Sequence, residues 1–325
     1  MAASFRSESF FVTPKQVDIF EICAEPTSSP PIKANRLERA GRKAKGPIKW
    51  QPATERRGFF MKKTTGLLLM VLVLFLSTIS VSAMEVAALN TELIETGILS
   101  VQYSVPTSRP TKIMIENGSE RAFYNLLSDR TEDSFPLNMG NGRYKISILE
   151  QVSGNQYRPI KTETLQVSIT DITSLYLGSV QEIRWNAEME AIKKAAEITE
   201  GLTSDMEKVQ AIYKYIISNV SYDYAKIPTL TSSYLPDVEQ TFFNNKGICY
   251  DYASLFAAMV RSVGVPARLA KGYAPGINEY HAWNEVMVEG EWKTVDTTMD
   301  AAYHQAGYST QMMKNSAEFN KTSEV

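Results

Sequence analysis

Cysteine and histidine are scarce in this sequence. Its 325 residues include two cysteines, Cys23 and Cys249, and two histidines, His281 and His304. Because these residues lack close spacing, they do not make a zinc motif. The sequence also has no acidic loop with calcium-ligand spacing and no convincing internal repeat. With 44% hydrophobic and 10% aromatic residues, the chain is still long and apolar enough to form two globular domains.

The start of the chain differs from the rest. Residues 61–83 read MKKTTGLLLMVLVLFLSTISVSA, with two lysines, an apolar run, and Val81 and Ala83 in the pattern that signal peptidase cuts. We interpret this segment as the signal peptide of a secreted or cell-surface protein. The alternative is an uncleaved membrane anchor, although the run falls slightly short of the roughly 18 apolar residues that span a bilayer. Because a signal peptide does not normally follow a long polar segment, we interpret residues 1–60 as a mis-assigned or disordered extension.

Removal of residues 1–83 changes both the charge and the cysteine content. That segment holds 13 of the 34 Lys and Arg residues and 6 of the 36 Asp and Glu residues, which leaves 21 basic against 30 acidic residues and a formal charge near −9. An acidic exported chain argues against nucleic acid or anionic lipid as a partner. Cys23 leaves with the segment, so Cys249 cannot form an internal disulfide. A lone thiol in an oxidising exterior requires a reason.

The segment after the signal peptide is typical of β-structure. ILSVQYSV, KIMIENGSERAFYNL, FPLNMGNGRYKISILE and LQVSIT alternate apolar and polar positions. Asn-Gly dipeptides at Asn117 and Asn141 favour tight hairpin turns. We therefore predict a small all-β, sandwich-like domain over residues 84–175. It has no histidine, cysteine or metal-ligand cluster, so we expect a spacer or binding module beside a catalytic domain.

Helical periodicity follows the β-rich segment. AEMEAIKKAAEITEG predicts one helix, and a capping box from Ser204 to Glu207 begins another. A loop rich in Thr, Ser and Pro over residues 225–236 leads to a short helix near 238–244. The stretch NKGICYDYASLFAAMVRSVGVPAR then predicts a helix that ends at Gly264.

Cys249 lies in the first turn of that last helix. The partial positive charge at a helix N-terminus favours a thiolate over a thiol, which makes a cysteine nucleophilic near neutral pH. A cysteine can equally be a small buried hydrophobic residue. Its position alone therefore leaves the functional and structural interpretations evenly balanced.

A hairpin is predicted in HAWNEVMVEGEWKTVDTT, which begins at His281. We expect strands over residues 280–288 and 291–298, joined by a two-residue Glu-Gly turn. This register places Trp283 opposite Asp296, so the histidine and the aspartate lie on one face with backbones about 7–8 Å apart. A loop one residue longer or shorter would move the aspartate to the opposite face.

Cys249, the only cysteine after residue 83, forms with His281 and Asp296 a Cys/His/Asp set that falls in one helix-to-hairpin unit. Taken singly, the histidine and the aspartate are more often structural. Together they supply a nucleophile, a base that takes and returns a proton, and a carboxylate that fixes the imidazole tautomer. The sequence therefore indicates thiol-dependent catalysis.

The same segments resemble the transglutaminase-like superfamily. GICYDYASLFAAMVRSVGVPARLAKGY and HAWNEVMVEGEWKTVDTT are similar to its cysteine-bearing helix, its GVPAR link and its HAW and W-x-x-V-D strands over about residues 195–303. The resemblance implies an α+β, papain-like fold, a catalytic domain over residues 176–310, and the three residues just named as its triad. The β-rich segment and a C-terminal tail, residues 311–325, lie outside it.

The resemblance also implies the class of reaction. Active members form a thioacyl-enzyme, and they differ in whether an amine or water resolves it. We expect a transglutaminase-like acyltransferase or a cysteine peptidase or amidase that acts on protein or peptide, including that of the cell envelope, without a cofactor or metal. By analogy, Tyr222 in VSYDY would support the oxyanion site beside the Cys249 amide. The alternative is a non-catalytic cell-surface protein that uses the β domain for recognition. We expect His304 to be an exposed residue outside the site.

Overall fold

The structure of the protein is a computed structural model, and it describes residues 10–11 and 86–325. The predicted signal peptide, residues 61–83, and nearly all of the predicted extension lie outside the described residues. Among the residues that are described, no helix is both long and apolar enough to cross a membrane.

Strands make up the first part of the described chain, and helices and strands are mixed in the rest. The strands are β1 (Phe10–Phe11), β2 (Ala87–Asn90), β3 (Ile98–Tyr103), β4 (Thr111–Asn117), β5 (Glu120–Leu126), β6 (Glu132–Pro136), β7 (Gly142–Ser153), β8 (Gln156–Val167), β9 (Ser221–Tyr222), β10 (Lys246–Gly247), β11 (Ala267–Tyr273), β12 (His281–Val288), β13 (Glu291–Val295), β14 (Met313–Lys314) and β15 (Asn320–Glu324). The helices are α1 (Glu190–Ile198), α2 (Asp205–Asn219), α3 (Val238–Asn244), α4 (Cys249–Ser262) and α5 (Thr297–Gln305).

The N-terminal β-rich region consists of two antiparallel sheets. One sheet has the strand order β1-β8-β7-β4-β5 and the other has the order β2-β3-β6. Their inner faces share one hydrophobic core. Across it, the rings of Tyr124 on β5 and Phe135 on β6 lie 5.1 Å apart between centroids. Together with the helical region that follows, this arrangement confirms the predicted α+β fold with a sandwich-like β domain.

The two Asn-Gly dipeptides behave differently. Asn117 pairs with Glu120 in a hairpin that joins β4 to β5, as predicted. The second dipeptide joins β6 of one sheet to β7 of the other, so the predicted hairpin at Asn141 is wrong. The Asn141 side chain instead accepts from the Ile169 amide at 2.7 Å and donates to the Ile169 carbonyl at 3.1 Å. A short asparagine side chain can satisfy such a turn without making a hairpin.

The helical region is built around α4. Every residue of this helix from Cys249 to Arg261 is buried, and α4 packs against β11 and β12 of a five-stranded sheet with the order β14-β13-β12-β11-β15. The helix is followed by Gly264 in the left-handed conformation, with φ of 86°, which ends it as predicted. The capping box from Ser204 to Glu207 is also present at the start of α2.

The segment predicted as a C-terminal tail contributes to this sheet. Residues 313–314 pair with β13, and residues 320–324 pair with β11. Both strands lie at the sheet edges, and most side chains of β15 are exposed. They therefore lack the apolar alternation that marks a half-buried strand in a sequence.

The predicted β12–β13 hairpin is confirmed in register but not in length. Val288 lies opposite Glu291, and Asn284 lies opposite Val295, as the two-residue turn requires. However, β13 ends at Val295, and α5 follows in place of the predicted strand to residue 298. The Asp296 side chain accepts the first free amides of α5, and an aspartate in this position favours the start of a helix.

Candidate active site

Cys249 is the first residue of α4, as predicted, and it is buried. A thiol at this position lies where the first-turn amides of the helix point, and these amides favour negative charge. The chain reaches it through β10, whose Gly247 pairs with Tyr222 of β9 in a parallel arrangement. Cys249 therefore begins a helix immediately after a short paired strand.

His281 and Asp296 are brought together at one end of β12. The imidazole Nε2 and a carboxylate oxygen of the aspartate lie 2.8 Å apart, and both side chains are buried. The other carboxylate oxygen accepts the backbone N–H groups of Thr298 and Met299, each at 3.1 Å. One carboxylate therefore both caps α5 and holds the ring of the histidine.

The helix that carries Cys249 is pinned to the strand that carries His281. Asn284, three residues after the histidine, donates to the Ala253 carbonyl at 2.9 Å and to the Arg268 carbonyl at 3.1 Å. Ala253 lies one turn after the cysteine. The buried asparagine was not singled out from the sequence, because a polar residue within a strand gives no sign of whether it faces the core.

Tyr222 lies beside the segment that leads to Cys249. It pairs with Gly247, and the next residue, Asp223, donates its amide to the Gly247 carbonyl at 3.0 Å. The structure thus places Tyr222 beside β10, the strand that precedes the cysteine. Its role at an oxyanion site stays a prediction. His304 is exposed, as expected, and its ring lies 3.2 Å from the Ser218 hydroxyl on α2.

Residues 192–297 match the model of the transglutaminase-like superfamily. This stretch of the chain is a transglutaminase-like domain. The match confirms the resemblance drawn from the sequence motifs, and it contains all three predicted triad residues.

Relatives of this domain are known in distant organisms. The human kyphoscoliosis peptidase is 35% identical over 107 residues, which are 29% of this chain and 16% of that protein. The uncharacterized protein YebA of Bacillus subtilis is 29% identical over 122 residues, which are 32% of this chain and 17% of that protein. The chain thus spans about a sixth of the length of either relative. A solved structure of a candidate cysteine protease from Cytophaga hutchinsonii is 19% identical, with a TM-score of 0.40 over 70% of this chain and 79% of the other.

A second buried polar cluster lies beside the opening turn of α4. Tyr250 donates to the Glu182 carboxylate at 2.6 Å, and Lys271 of β11 donates to the same carboxylate. Ser254 donates to the Glu182 carbonyl at 2.7 Å. Burial beside the glutamate raises the pKa of Tyr250 well above its usual value, so its hydroxyl stays a donor. Glu182 lies outside the family motifs, which is why sequence analysis missed it.

A cavity of about 490 Å³ lies along the exposed side of α5. Its walls include Met299, Tyr303 and Phe319. Phe319 packs against Trp283 with ring centroids 5.1 Å apart, and the ring of Trp283 stacks at 6.4 Å from that of His281. Two side chains, Phe319 and Trp283, therefore lie between the cavity and the histidine. Over residues 10–11 and 86–325 the structure brings together no group of three or more potential metal ligands.

Proposed function

We propose that this protein is a cysteine-dependent enzyme that forms a thioacyl intermediate at Cys249 from amide bonds of protein or peptide substrates. The observation that carries the proposal is the buried His281–Asp296 pair, because it lies at the end of a strand that packs on the cysteine-bearing helix. In a Cys/His/Asp triad the buried carboxylate holds the imidazole in the tautomer and orientation that a general base requires. The transglutaminase-like match supports the same chemistry.

The proposed reaction uses both nitrogens of His281. Its Nε2–H donates to Asp296, so Nδ1 is the nitrogen that accepts the proton of the Cys249 thiol. The thiolate attacks the substrate carbonyl carbon, and the resulting oxyanion collapses as the C–N bond breaks. The imidazolium gives its proton to the leaving amine, which yields a thioester. Water or a second amine then attacks the thioester, and the imidazole passes the proton of that nucleophile to the departing sulfur.

The donors proposed for the oxyanion are the backbone N–H of Cys249 and the hydroxyl of Tyr222. The first is an amide of the opening turn of α4, where helix geometry directs N–H groups away from the helix. The second comes from β9, which pairs with the strand before the cysteine. The cavity beside α5 is the proposed site for a side chain of a peptide substrate, since its wall residue Phe319 contacts Trp283, which stacks on the histidine.

We further propose that the enzyme works outside the cell. The segment 61–83 has the features of a signal peptide, and the chain after it is acidic. The substrate would then be extracellular or cell-envelope protein or peptide. If water resolves the thioester, the enzyme is a peptidase or amidase. If an amine resolves it, the enzyme is an acyltransferase.

The first test is the rate of iodoacetamide labelling of Cys249 across pH, followed by peptide-resolved mass spectrometry so that Cys23 is counted separately. We expect rapid labelling below pH 7 in the wild type and slow labelling in His281→Ala, because the ion pair with the histidine is lost. His304→Ala is the matched control and leaves the profile unchanged.

Casein, with and without an added primary amine, then distinguishes hydrolysis from acyl transfer. Labelling that rises only near pH 8.5, the ordinary range of a thiol, and is the same in His281→Ala would contradict the proposed enzyme. That result would favour a surface binding protein built on the same domain.

A further inference from the structure

A buried ion pair lies two residues after Cys249 and is separate from the triad. Asp251 is fully buried, and one of its carboxylate oxygens accepts from the Lys226 ammonium at 2.7 Å and from the Ile248 amide at 2.9 Å. The other oxygen accepts from the Tyr234 hydroxyl. Each oxygen is thus occupied, as a buried carboxylate requires.

The partners of Asp251 close into a ring. Lys226 also donates to the Tyr234 hydroxyl at 2.9 Å, so each of the three side chains contacts the other two. Burial, together with the neighbouring carboxylate, raises the pKa of Tyr234 well above its usual value and keeps its hydroxyl a donor. Both partners belong to the loop between β9 and α3, which the sequence describes only as rich in Thr, Ser and Pro. The loop is thereby tied to the start of α4.

Two contacts fix the chain just before the nucleophile. Gly247 is held by its pairing with Tyr222, and Ile248 is held by the carboxylate of Asp251. The fit is tight, because a Cβ added at Gly247 would lie 2.5 Å from the Asp251 Cβ. The backbone that leads to Cys249 therefore has little room to move.

We propose that Asp251 is a positioning residue that, with Lys226 and Tyr234, fixes the opening turn of α4 and the direction in which Cys249 presents its sulfur. The inference rests on the proposed thiol chemistry at Cys249. A nucleophile held in one orientation reacts faster because the attack geometry is set in advance. The carboxylate acts through the Ile248 amide and does not touch the reacting atoms.

Lys226 has a second part in this arrangement. An unpaired carboxylate two residues from the nucleophile would oppose a negative charge on sulfur, and the lysine neutralises it. The charged and titratable groups near Asp251 include Lys226 and Tyr234 from the loop and Tyr250 from its own helix. Further carboxylates act on the two tyrosines, Asp223 and Asp237 on Tyr234 and Glu182 on Tyr250. The pair therefore contributes position without adding net charge beside the thiolate.

The first arm of the test compares Asp251→Leu with Asp251→Asn in the full chain. Leucine removes both acceptors, so we expect hydrogen exchange of the Ile248 amide to rise by about tenfold or more and kcat on casein to fall by a similar factor with little change in KM. Asparagine can still accept from Ile248 and should retain most of the amide protection. Equal effects of the two substitutions would contradict the positioning role.

The second arm uses charge. Lys226→Met should move the midpoint of Cys249 labelling to higher pH by about half to one unit, and Asp251→Asn should move it lower. A merely structural role would move both midpoints in the same direction, and that outcome would overturn the inference. Tyr234→Phe removes two hydrogen bonds, the one donated to Asp251 and the one accepted from Lys226, but no charge, so it should leave the midpoint in place and raise Ile248 exchange about threefold.

The chain offers a matched control in the β-rich region. Asp133 is a buried carboxylate that likewise accepts from a tyrosine, Tyr103 at 2.6 Å, and from a cation, Arg130 at 3.0 Å. Asp133→Leu should destabilise the fold without changing Ile248 exchange or kcat. If it changes them as much as Asp251→Leu does, the effect is general loosening and the inference fails.

The two proposals can fail separately. If wild-type Cys249 labels as an ordinary thiol, the proposed function fails, while exchange of the Ile248 amide still decides whether Asp251 holds the turn. If Asp251→Leu does not fold, exchange of the Ile248 amide in Tyr234→Phe tests the positioning role in its place. Unchanged Ile248 exchange in Tyr234→Phe would then refute the inference.

Discussion

Two substitutions of Asp296 distinguish its contact with the His281 ring from its cap on α5. Its carboxylate uses one oxygen for two amides of α5 and the other for the His281 ring, so it accepts on both sides. An amide side chain can accept on only one side. In Asp296→Asn, the new amide can keep its oxygen toward the α5 backbone amides, and its NH₂ group then faces Nε2 of His281. Because this NH₂ group is a donor, Nε2 must accept, and the imidazole proton moves to Nδ1. The ring can then no longer take a proton from the thiol.

The expected magnitudes follow from these contacts. For Asp296→Ala, loss of the helix cap costs about 1 kcal/mol and loss of a buried bond to the histidine costs about 2 kcal/mol, so unfolding free energy falls by about 3 kcal/mol. In a region of this size the melting temperature should fall by roughly 6–12 °C. Asp296→Asn keeps the cap, so its stability should stay within about 1 kcal/mol of wild type. Its turnover should fall by about 10⁴, as expected for the wrong tautomer in a triad.

Two assays measure these effects separately. Guanidinium unfolding gives the free energy, and casein turnover gives the rate. Asp237→Ala is the matched control for the cap alone, since Asp237 accepts from the Gln240 amide at 2.9 Å at the start of α3. It should cost about 1 kcal/mol and leave turnover unchanged. An Asp296→Asn protein that keeps turnover within about threefold of wild type would refute the assigned role.

Two further substitutions test the packing and the electrostatics. Gly247→Ala places a Cβ 2.5 Å from that of Asp251. We therefore expect a loss of about 1–3 kcal/mol in unfolding free energy and slower labelling of Cys249. Wild-type values for both would contradict the tight fit. Hydrogen bonds from Arg158 and Arg109 lower the pKa of Glu150, so this contact stabilises the fold at neutral pH and the contribution is lost as the carboxylate becomes protonated in acid. Glu150→Gln should therefore lower stability at pH 7 by less than about 1 kcal/mol, and the difference should shrink as the pH falls through the lowered pKa of Glu150 in denaturation curves. A difference that does not change with pH would show another cause.

Local signals in the sequence predicted much of this fold. The Ser204 capping box, the short helix Val238–Asn244, the helix that starts at Cys249 and the Glu-Gly hairpin are all present, because each depends on residues within one or two turns of the chain. The helix after Asp296 was missed although an aspartate before TTMDAAYH is a helix start signal. The predicted strand over residues 291–298 therefore runs three residues beyond the observed end at Val295.

Partners distant in the chain could not be predicted. Lys226 and Glu182 lie 25 and 68 residues before the side chains that they hold, Asp251 and Tyr250. Neither sits in a periodic pattern or a motif, so a single sequence carries no sign of the pairing. The edge strand 320–324 was missed for a related reason, since its side chains are mostly exposed and only its backbone pairing defines it.

The buried clusters also connect the β-rich region to the helical region. Gln181 is buried in that region, where its amide donates to Asp133 at 2.9 Å. The next residue, Glu182, holds Tyr250, the residue that follows Cys249. A spacer would need no such bond, since it would only set a distance. Here two consecutive residues connect the core of one region to the residue after Cys249, so the β-rich region packs on the helical region through buried hydrogen bonds and is not joined to it by the backbone alone.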